Sequence, residues 1–512
     1  MESPPKTPPS RDPEDEIDFR FETHGTPCEW GESYRPGGYH PVILGDVLRD
    51  RYRVVRKLGH GSFSTAWLVA DMSLNCFAAL KVSVASLGKK EAGTIDKSLA
   101  VYRTLPQTAN RHVVGLRDSF DVRGPNGRHA CLVMDPMGPH ISTLLNRPEF
   151  KDQTFDPLDP LDPLVRQPRF PKALTHRILR DILLGLRTLH QHGIVHSDLH
   201  PGNVLATIPP LGEPLGHDPS VLQKLQQLPS EGHTLVRRDG KIDLWAPSYL
   251  LEAAPLEDLV TFELDPVVKL ADLGASFLER HPPASVVTPV ALRSPEFILR
   301  NAQVPLGKGI DIWAFGCLVF ELVTGRNLFV GLEGLDGHEA SDEGINDEHL
   351  IQLSEVLGPL PAELASHWRR RGRYYDTDGK RLEATINHGG AGDESDDGDG
   401  MGHDGVNGDD FVDLDDGDDG DDGNDGNDGQ AQGEAIPDLP MDDDMSESSD
   451  FWLANVGEFL PLEDQLRDLK PEDMDDAEMD EVAGLLRWIL EYDASKRPSA
   501  EAILAHPWLS SS

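Results

Sequence analysis

Residues that can handle a phosphate group occur in three short strings, in order along the chain. The first is the glycine-rich string Leu58–Phe63 (LGHGSF), followed by Lys81 within the string ALKV. The second is His196–Asn203 (HSDLHPGN), and the third is Asp272–Gly274 (DLG). A glycine-rich turn lets backbone N–H groups approach phosphates closely, and a strand lysine can hold the α- and β-phosphates. The first string therefore indicates a phosphate cradle.

The second string pairs Asp198 with Asn203, five residues later. With this spacing, the Asp can accept the proton of an attacking hydroxyl, while the Asn and Asp272 offer hard oxygen ligands to Mg²⁺. Each string alone has an ordinary alternative: a hairpin turn, an exposed lysine, or turn-forming Asp and Asn residues. Their joint order favours ATP-dependent phosphoryl transfer with Mg²⁺.

The hydrophobic pattern predicts the elements that position these residues. Apolar and β-branched runs predict strands, and amphipathic periods predict two helices. The predicted strands are Tyr52–Leu58, Thr65–Val69, Phe77–Val82, Ala130–Met134 and Val267–Ala271, and the helices are Lys89–Leu105 and Thr175–His192. Strands followed by helices indicate an α+β architecture of two lobes joined near Asp135–Gly138.

Charge and composition exclude several classes of protein. The 512-residue chain has a formal net charge of −42, and removing the 24 Asp and Glu residues of 388–450 still leaves −18. Such a surface repels phosphates and argues against direct nucleic-acid binding. Four scattered cysteines favour a reducing compartment, and the N-terminus is neither a signal nor a transit peptide. The longest apolar run, Ile312–Phe320, is too short to cross a bilayer and predicts a buried helix.

Composition also divides the chain. Residues 1–40 are Pro-rich and charged, and we expect them to be disordered. We expect a small lobe over 51–138 and a large helical lobe over 139–509, interrupted by a spacer at 206–265 and by the Gly/Asp-rich segment 388–450. The acidic segment has nothing to bury and is expected to be disordered. It is either a long-range attractor of Arg-rich partners or an inert linker.

Four further strings make the chain resemble a eukaryotic protein kinase. They are Arg293–Glu296, Asp311–Gly316, Lys496–Pro498 and His506–Leu509. The resemblance implies the two-lobed protein kinase fold, with ATP and Mg²⁺ as cofactors. It also implies that Glu296 pairs with Arg497 and that Asp311 begins the buried central helix of the large lobe.

Within that family, the chain is most similar to the SR-protein kinases. The supporting strings are Gly37–His40, Phe63–Leu68, His129–Met134 and Asn346–Leu350. This resemblance implies a monomeric serine/threonine kinase of the cytoplasm or nucleus. Its substrates would be serines in Arg/Ser-rich basic segments, such as those of splicing factors, with no membrane partner.

The resemblance also assigns roles to individual residues. Asp198, Lys81 and His200 are the expected catalytic residues, and Asn203 and Asp272 the expected metal ligands. The expected nucleotide-binding residues are Leu58, Gly59, His60, Gly61, Ser62, Phe63, Lys81, Asp135 and Met137. Glu348 and Glu355 are seven residues apart, hence on one helix face, where they would dock a basic substrate. The alternative is an ordinary solvated helix surface.

Three positions depart from the kinase pattern. Ser98 stands where a helix Glu should pair with Lys81, and neither Asp96 nor Glu91 is in register to replace it. Ser197 replaces the usual Arg before Asp198, as in many SR-protein kinases, which implies weak dependence on activation-loop phosphorylation. His200 replaces the usual Lys. Ser98 leaves open a pseudokinase that binds nucleotide without transfer, and His200 leaves open a small-molecule phosphotransferase of the aminoglycoside or choline kinase type.

Overall fold

The computed structural model describes residues 5–13, 15–22, 25–85, 93–106, 109, 111–150, 168–208, 211, 223–225, 227–228, 232–260, 268–283, 286, 288–299, 306–331, 342–382 and 459–510. The acidic segment 388–450 lies outside these residues, as does much of the spacer predicted at 206–265. One compact unit comprises Met1–Gly379 and Glu458–Ser512, and every element below belongs to it. A second unit, Lys380–Gly457, is described only at residues 380–382.

A six-stranded antiparallel sheet forms the small lobe, in the order β1-β2-β3-β4-β6-β5. Its strands are β1 Val47–Leu48, β2 Tyr52–Gly61, β3 Ser64–Asp71, β4 Cys76–Ser83, β5 Leu116–Gly124 and β6 Gly127–Met134. Alternate apolar side chains point to one face, where Val54, Trp67, Leu80 and Val133 form a buried core. Helix α1, Gly93–Thr104, belongs to the same part of the chain. The predicted strand positions and this helix are confirmed.

The N-terminal segment is ordered where it is described, so the expectation of disorder over residues 1–40 is wrong there. Phe21, Tyr34 and Tyr39 are buried. They pack near the hairpin of β9, Gly232–Thr234, and β10, Tyr249–Leu251, which comes from the predicted spacer. The Pro-rich, charged composition does not reveal this order. A few buried aromatic residues hold the segment through tertiary contacts, and such contacts leave no local periodic pattern in the sequence.

Helices dominate the large lobe. They are α2 Ile141–Leu144, α3 Lys172–Gln191, α4 Pro295–Ile298, α5 Gly309–Thr324, α6 Asp342–Leu357, α7 Ala362–Ala365, α8 Leu462–Asp468, α9 Asp476–Ile489, α10 Ala500–Leu504 and α11 Pro507–Ser510. Helix α3 buries one apolar face, as its period predicts. Helix α5 is buried nearly all round, because its sequence is apolar on every face. Among the described helices, none combines the length and the apolarity that a bilayer crossing requires.

Two short antiparallel ladders hold the phosphate-handling strings beside each other. Strand β7, Ile194–Val195, pairs with β12, Phe277–Leu278, and β8, Val204–Ala206, pairs with β11, Val268–Leu270. The string HSDLHPGN lies between β7 and β8, while DLG lies between β11 and β12. Because each loop is fastened at both ends to the other, the second and third strings are neighbours in space.

Candidate active site

Asp198 and Asn203 are hydrogen-bonded to each other in the loop after β7. The Asn203 side-chain N–H donates to the Asp198 carboxylate at 3.0 Å and to the Asp198 carbonyl at 2.8 Å. A short 3-10 turn, Pro201–Asn203, brings the two residues together. The amide nitrogen therefore orients the Asp198 carboxylate, and the Asn203 side-chain oxygen is left to act as a ligand.

Asp311, at the start of α5, holds this loop through hydrogen bonds to its backbone. Its carboxylate is fully buried and accepts the backbone N–H groups of His196 and Ser197, both at 2.8 Å. Ser197 has a φ of 67°, a left-handed conformation that costs a non-glycine residue free energy. The Ser197 hydroxyl donates to the carbonyl of Ala275, and Thr288 donates to the carbonyl of Ser197. These bonds hold the strained residue and couple the loop to the segment after DLG.

Lys81 forms an ion pair with Asp272 across the two lobes. The Lys81 Nζ lies 2.7 Å from Asp272 Oδ2, and Gly274 N–H donates to Asp272 Oδ1. Burial alone would raise the pKa of Asp272, but the nearby ammonium and the Gly274 N–H outweigh it, and the pKa lies below its ordinary value. Asp272 is thus a carboxylate at neutral pH, with a φ of 54° that is again left-handed.

His200 lies at the edge of the same cluster. Its Nδ1 accepts the Gly202 N–H at 3.1 Å, so the neutral ring carries its proton on Nε2. Nε2 is 3.8 Å from the Asp198 carboxylate. Burial lowers the pKa of His200, against the opposing effect of Asp198. The ring is therefore a neutral hydrogen-bond donor near the Asp198 carboxylate, and not a second ammonium.

The glycine turn joins β2 to β3 as a hairpin whose last pair is Gly61 with Ser64. A Cβ added at Gly59 or Gly61 would meet no heavy atom within 4 Å, so their open surroundings leave room for a ligand. Asp135 and Met137 lie at the connection between the lobes, and Met137 is buried. The Asp135 carboxylate contacts Arg117 at 2.8 Å, so any bond from Asp135 to adenine would come from its backbone.

Ser98 is buried on α1, at the position where an acidic partner of Lys81 was expected. The side chains of Asp96 and Glu91, the two alternatives, lie outside the described residues. In this structure, the acidic partner of Lys81 is Asp272.

Glu296 and Arg497 form a buried bidentate ion pair, at 2.6 and 2.7 Å. Arg497 also donates to the carbonyls of Gly309 and Glu491 and lies over the Trp313 ring at 4.9 Å. Every charged donor that leaves water thus acquires a partner, as a buried pair requires. The pair ties α4 to the connection between helices α9 and α10, where Arg497 lies.

Of the two α6 glutamates expected to dock a basic substrate, Glu348 is buried and Glu355 is half-buried. Glu348 is only 8% exposed, accepts from Gln352, and burial raises its pKa to about 7. Glu355 accepts the backbone N–H of Phe459. Glu348 is therefore not displayed for docking, because the face that carries it turns inward to hold the loop at Val330 through Gln352. Docking of a substrate by Glu355 stays a prediction.

Sequence reasoning missed Glu321, a single acid near the end of the apolar helix α5. It lines a cavity of about 230 Å³, together with His200 and Pro201 of the catalytic loop, His196–Asn203, and with Pro289 and Leu292 of the segment before α4. Burial raises the pKa of Glu321 to about 7, and among the described residues no side chain bonds its carboxylate. An acid directly after the apolar run Ile312–Phe320 was the available signal, since burying it unpaired costs free energy.

The donor set fits a magnesium nucleotide. Asp272 and Asn203 offer a carboxylate and an amide oxygen, the hard ligands that Mg²⁺ prefers when ATP phosphates supply the others. Within the described ranges, no group of three or more His, Cys, Asp or Glu side chains could hold a metal ion by itself.

Comparison with known proteins agrees with this geometry. The family of the protein kinase domain matches residues 52–209 and 259–509. The serine/threonine-protein kinase SRPK of Physarum polycephalum is 31% identical over 372 residues, covering 71% of this chain and 78% of its own. Protein kinase dsk1 of Schizosaccharomyces pombe is 27% identical over 415 residues, covering 66% and 71%. A kinase-domain crystal structure superposes with a TM-score of 0.53 at 19% identity, covering 92% of this chain and 98% of that one, and supports the fold.

The predicted fold class and enzyme class are confirmed. The chain matches the protein kinase family, and the two relatives above are named as protein kinases. These findings do not favour the two alternatives, a pseudokinase and a small-molecule phosphotransferase. The chain belongs to the protein kinase family and, within it, to the SR-protein kinases, which are serine/threonine protein kinases.

Proposed function

We propose that the protein transfers the γ-phosphoryl group of Mg²⁺-ATP to serine hydroxyls in Arg/Ser-rich protein segments. The observation that carries this proposal is the geometry of two hydrogen-bonded pairs, Lys81 with Asp272 at 2.7 Å and Asn203 with Asp198 at 3.0 Å. The Ala271 N–H, next to Asp272, donates to the Asn203 carbonyl at 2.9 Å and so joins the loops that carry Asp272 and Asn203. A catalytic base, two metal ligands and a phosphate-binding cation are the parts that phosphoryl transfer requires.

Each residue has a defined task in this proposal. Asp198 orients the serine hydroxyl and accepts its proton, and the Asn203 amide holds the Asp198 carboxylate in place. Lys81 and the backbone N–H groups of the glycine turn bind the phosphates. Asp272 and Asn203 would hold Mg²⁺, which neutralises phosphate charge when bound. His200, with its proton on Nε2, would donate a hydrogen bond to the transferring group.

The substrate class rests on charge. The relative named SRPK and the net charge of −42 both favour a basic partner. The cavity beside His200 adds a specific feature, because Glu321 lies there next to the catalytic loop and no side chain among the described residues bonds its carboxyl group. An arginine side chain near the phosphorylated serine would supply the missing counter-charge by a charge-assisted hydrogen bond.

Transfer of labelled phosphate from Mg²⁺-ATP to an Arg/Ser-repeat peptide tests the proposal. We expect robust phosphoserine formation, and a loss of about 100-fold or more in kcat in Asp198→Ala, because the hydroxyl then lacks both its base and its orienting group. A general basic protein without Arg/Ser repeats is the substrate control. ATP binding without phosphate transfer to either substrate would contradict the proposal and favour the pseudokinase alternative that Ser98 leaves open.

A further inference from the structure

The phenol of Tyr39 reaches the tip of the glycine turn. Its hydroxyl donates to the carbonyl oxygen of Gly61 at 2.9 Å, and the side chain is 7% exposed. Gly61 belongs to the last pair of the β2–β3 hairpin. A residue of the N-terminal segment, outside the region 52–509 that matches the kinase family, thus touches the phosphate cradle.

The turn has few anchors of its own. Glycine is the most freely moving residue, and neither Gly59 nor Gly61 has a Cβ to pack. Phe63, at the tip, is 77% exposed. Besides the strand pairing, the carbonyls of Gly61 and Phe63 each accept one hydrogen bond, from Tyr39 and from the Val84 N–H at 2.9 Å. Of these two bonds, only the one from Tyr39 is made by a side chain.

Tyr39 itself is held firmly. Its carbonyl accepts from the Asn126 side chain at 2.6 Å, and its N–H donates to Ser33. The preceding Gly38 accepts from the Ala85 N–H, and a Cβ there would lie 1.9 Å from the Ser33 carbonyl oxygen. These contacts fix the backbone from which the Tyr39 phenol extends.

The segment that carries Tyr39 is also locked onto β2. Lys57 has a fully buried side chain that pairs with Glu29, and the Tyr34 hydroxyl donates to the other oxygen of Glu29. A buried pair with both partners satisfied resists separation, since breaking it exposes an uncompensated charge. Lys57 lies immediately before the glycine-rich string, so the N-terminal segment is fastened at both the base and the tip of the turn.

We propose that Tyr39 is a positioning residue for nucleotide binding, which fixes the glycine turn through the Gly61 carbonyl before ATP arrives. A turn held in place loses less conformational entropy when the phosphates bind, so ATP affinity increases. This inference rests on the proposed binding of ATP phosphates by the turn.

The test compares Tyr39→Phe with Tyr52→Phe in the full chain. Both changes remove one phenol hydroxyl from the same lobe, but the Tyr52 hydroxyl bonds Asp118, at the opposite end of β2. Amide hydrogen exchange of residues 58–63 is measured without nucleotide, and ATP affinity by displacement of a fluorescent nucleotide. We expect Tyr39→Phe to speed exchange at the turn and to weaken ATP binding by about 3- to 10-fold, the worth of one hydrogen bond.

In steady-state assays, the KM for ATP should rise in Tyr39→Phe while the KM for the peptide stays unchanged. Tyr52→Phe should leave both the exchange at 58–63 and the KM for ATP as in the parent. Unchanged exchange at the turn in Tyr39→Phe would overturn the inference, as would faster exchange with unchanged ATP affinity. If the parent protein fails to bind ATP, the proposed function fails, and the exchange comparison still reports whether Tyr39 holds the turn.

Discussion

Glu321 places one titratable carboxyl beside the catalytic loop, and its chemistry depends on pH. Burial raises its pKa to about 7, while the pKa of His200 is lowered and that of Cys317 is raised, so both of these neighbours stay neutral near pH 7. Below pH 7 Glu321 is largely protonated, and above it the carboxylate can pair with arginine. We therefore expect this residue to make the affinity for a basic substrate depend on pH near neutrality.

We expect the KM for an Arg/Ser peptide to fall as the pH rises from 6 to 8, because Glu321 ionises over that interval. Glu321→Gln should raise the KM by about 10-fold at pH 8, the worth of one charge-assisted hydrogen bond, and abolish the trend. Glu363→Gln, at an exposed acid on α7, is the matched control. An unchanged pH profile of the peptide KM in Glu321→Gln would remove this residue from substrate recognition.

Glu348 has a different expected outcome, because its carboxyl is buried and not displayed. Its pKa is raised from 4.5 to about 7 in the folded protein. The free energy of unfolding therefore falls as the pH rises from about 5 to 7, because the unfolded chain loses this proton more readily than the folded one. Glu348→Gln should raise the free energy of unfolding by about 1 to 3 kcal/mol at pH 8 and by little at pH 5. Urea denaturation at the two pH values measures this. A higher peptide KM in the variant, without added stability, would restore the docking interpretation.

At the scale of elements, the Glu296–Arg497 pair joins α4 to the C-terminal helices. Arg497→Ala leaves Glu296 buried without its counter-charge and should cost about 3 to 5 kcal/mol in chemical denaturation. Arg487→Ala breaks a comparable bidentate pair with Glu463 that is partly solvated, and should cost about 1 kcal/mol or less. Equal losses in the two variants would show that burial does not set the strength of this link.

The elements that follow a local pattern could be predicted, and those that depend on distant partners could not. Periodicity was sufficient for β2 to β4 and for α3, because each buries one regular face. The N-terminal segment escaped prediction since its anchors, such as Glu29 with Lys57, are single residues far apart in sequence. The same reason explains the inward turn of Glu348: seven-residue spacing places two glutamates on one face but does not say what covers it.

At the scale of the whole molecule, acidity should govern how a basic substrate arrives. The net charge of −42 creates a field that salt screens beyond about 8 Å at physiological ionic strength. We expect kcat/KM for an Arg/Ser peptide to fall as salt rises from 50 to 300 mM, roughly by one order of magnitude. Deleting 388–450 removes 24 of the acidic side chains and should flatten this dependence. An identical salt slope in the deletion variant would mark the segment as an inert linker.

The core of the small lobe includes residues of β10, which follow the rest of that lobe by more than a hundred positions in the sequence. Leu251 of β10 belongs to the same apolar core as Val54 and Trp67, and Leu250 packs with Tyr34 and Tyr39. Because contacts between such distant residues form only after a long loop closes, they slow folding. A nascent chain that has released β6 but not β10 would present an incomplete core to solvent, and such surfaces aggregate. The core of this lobe can therefore be completed only after β10, which follows the catalytic loop in sequence, has been synthesised.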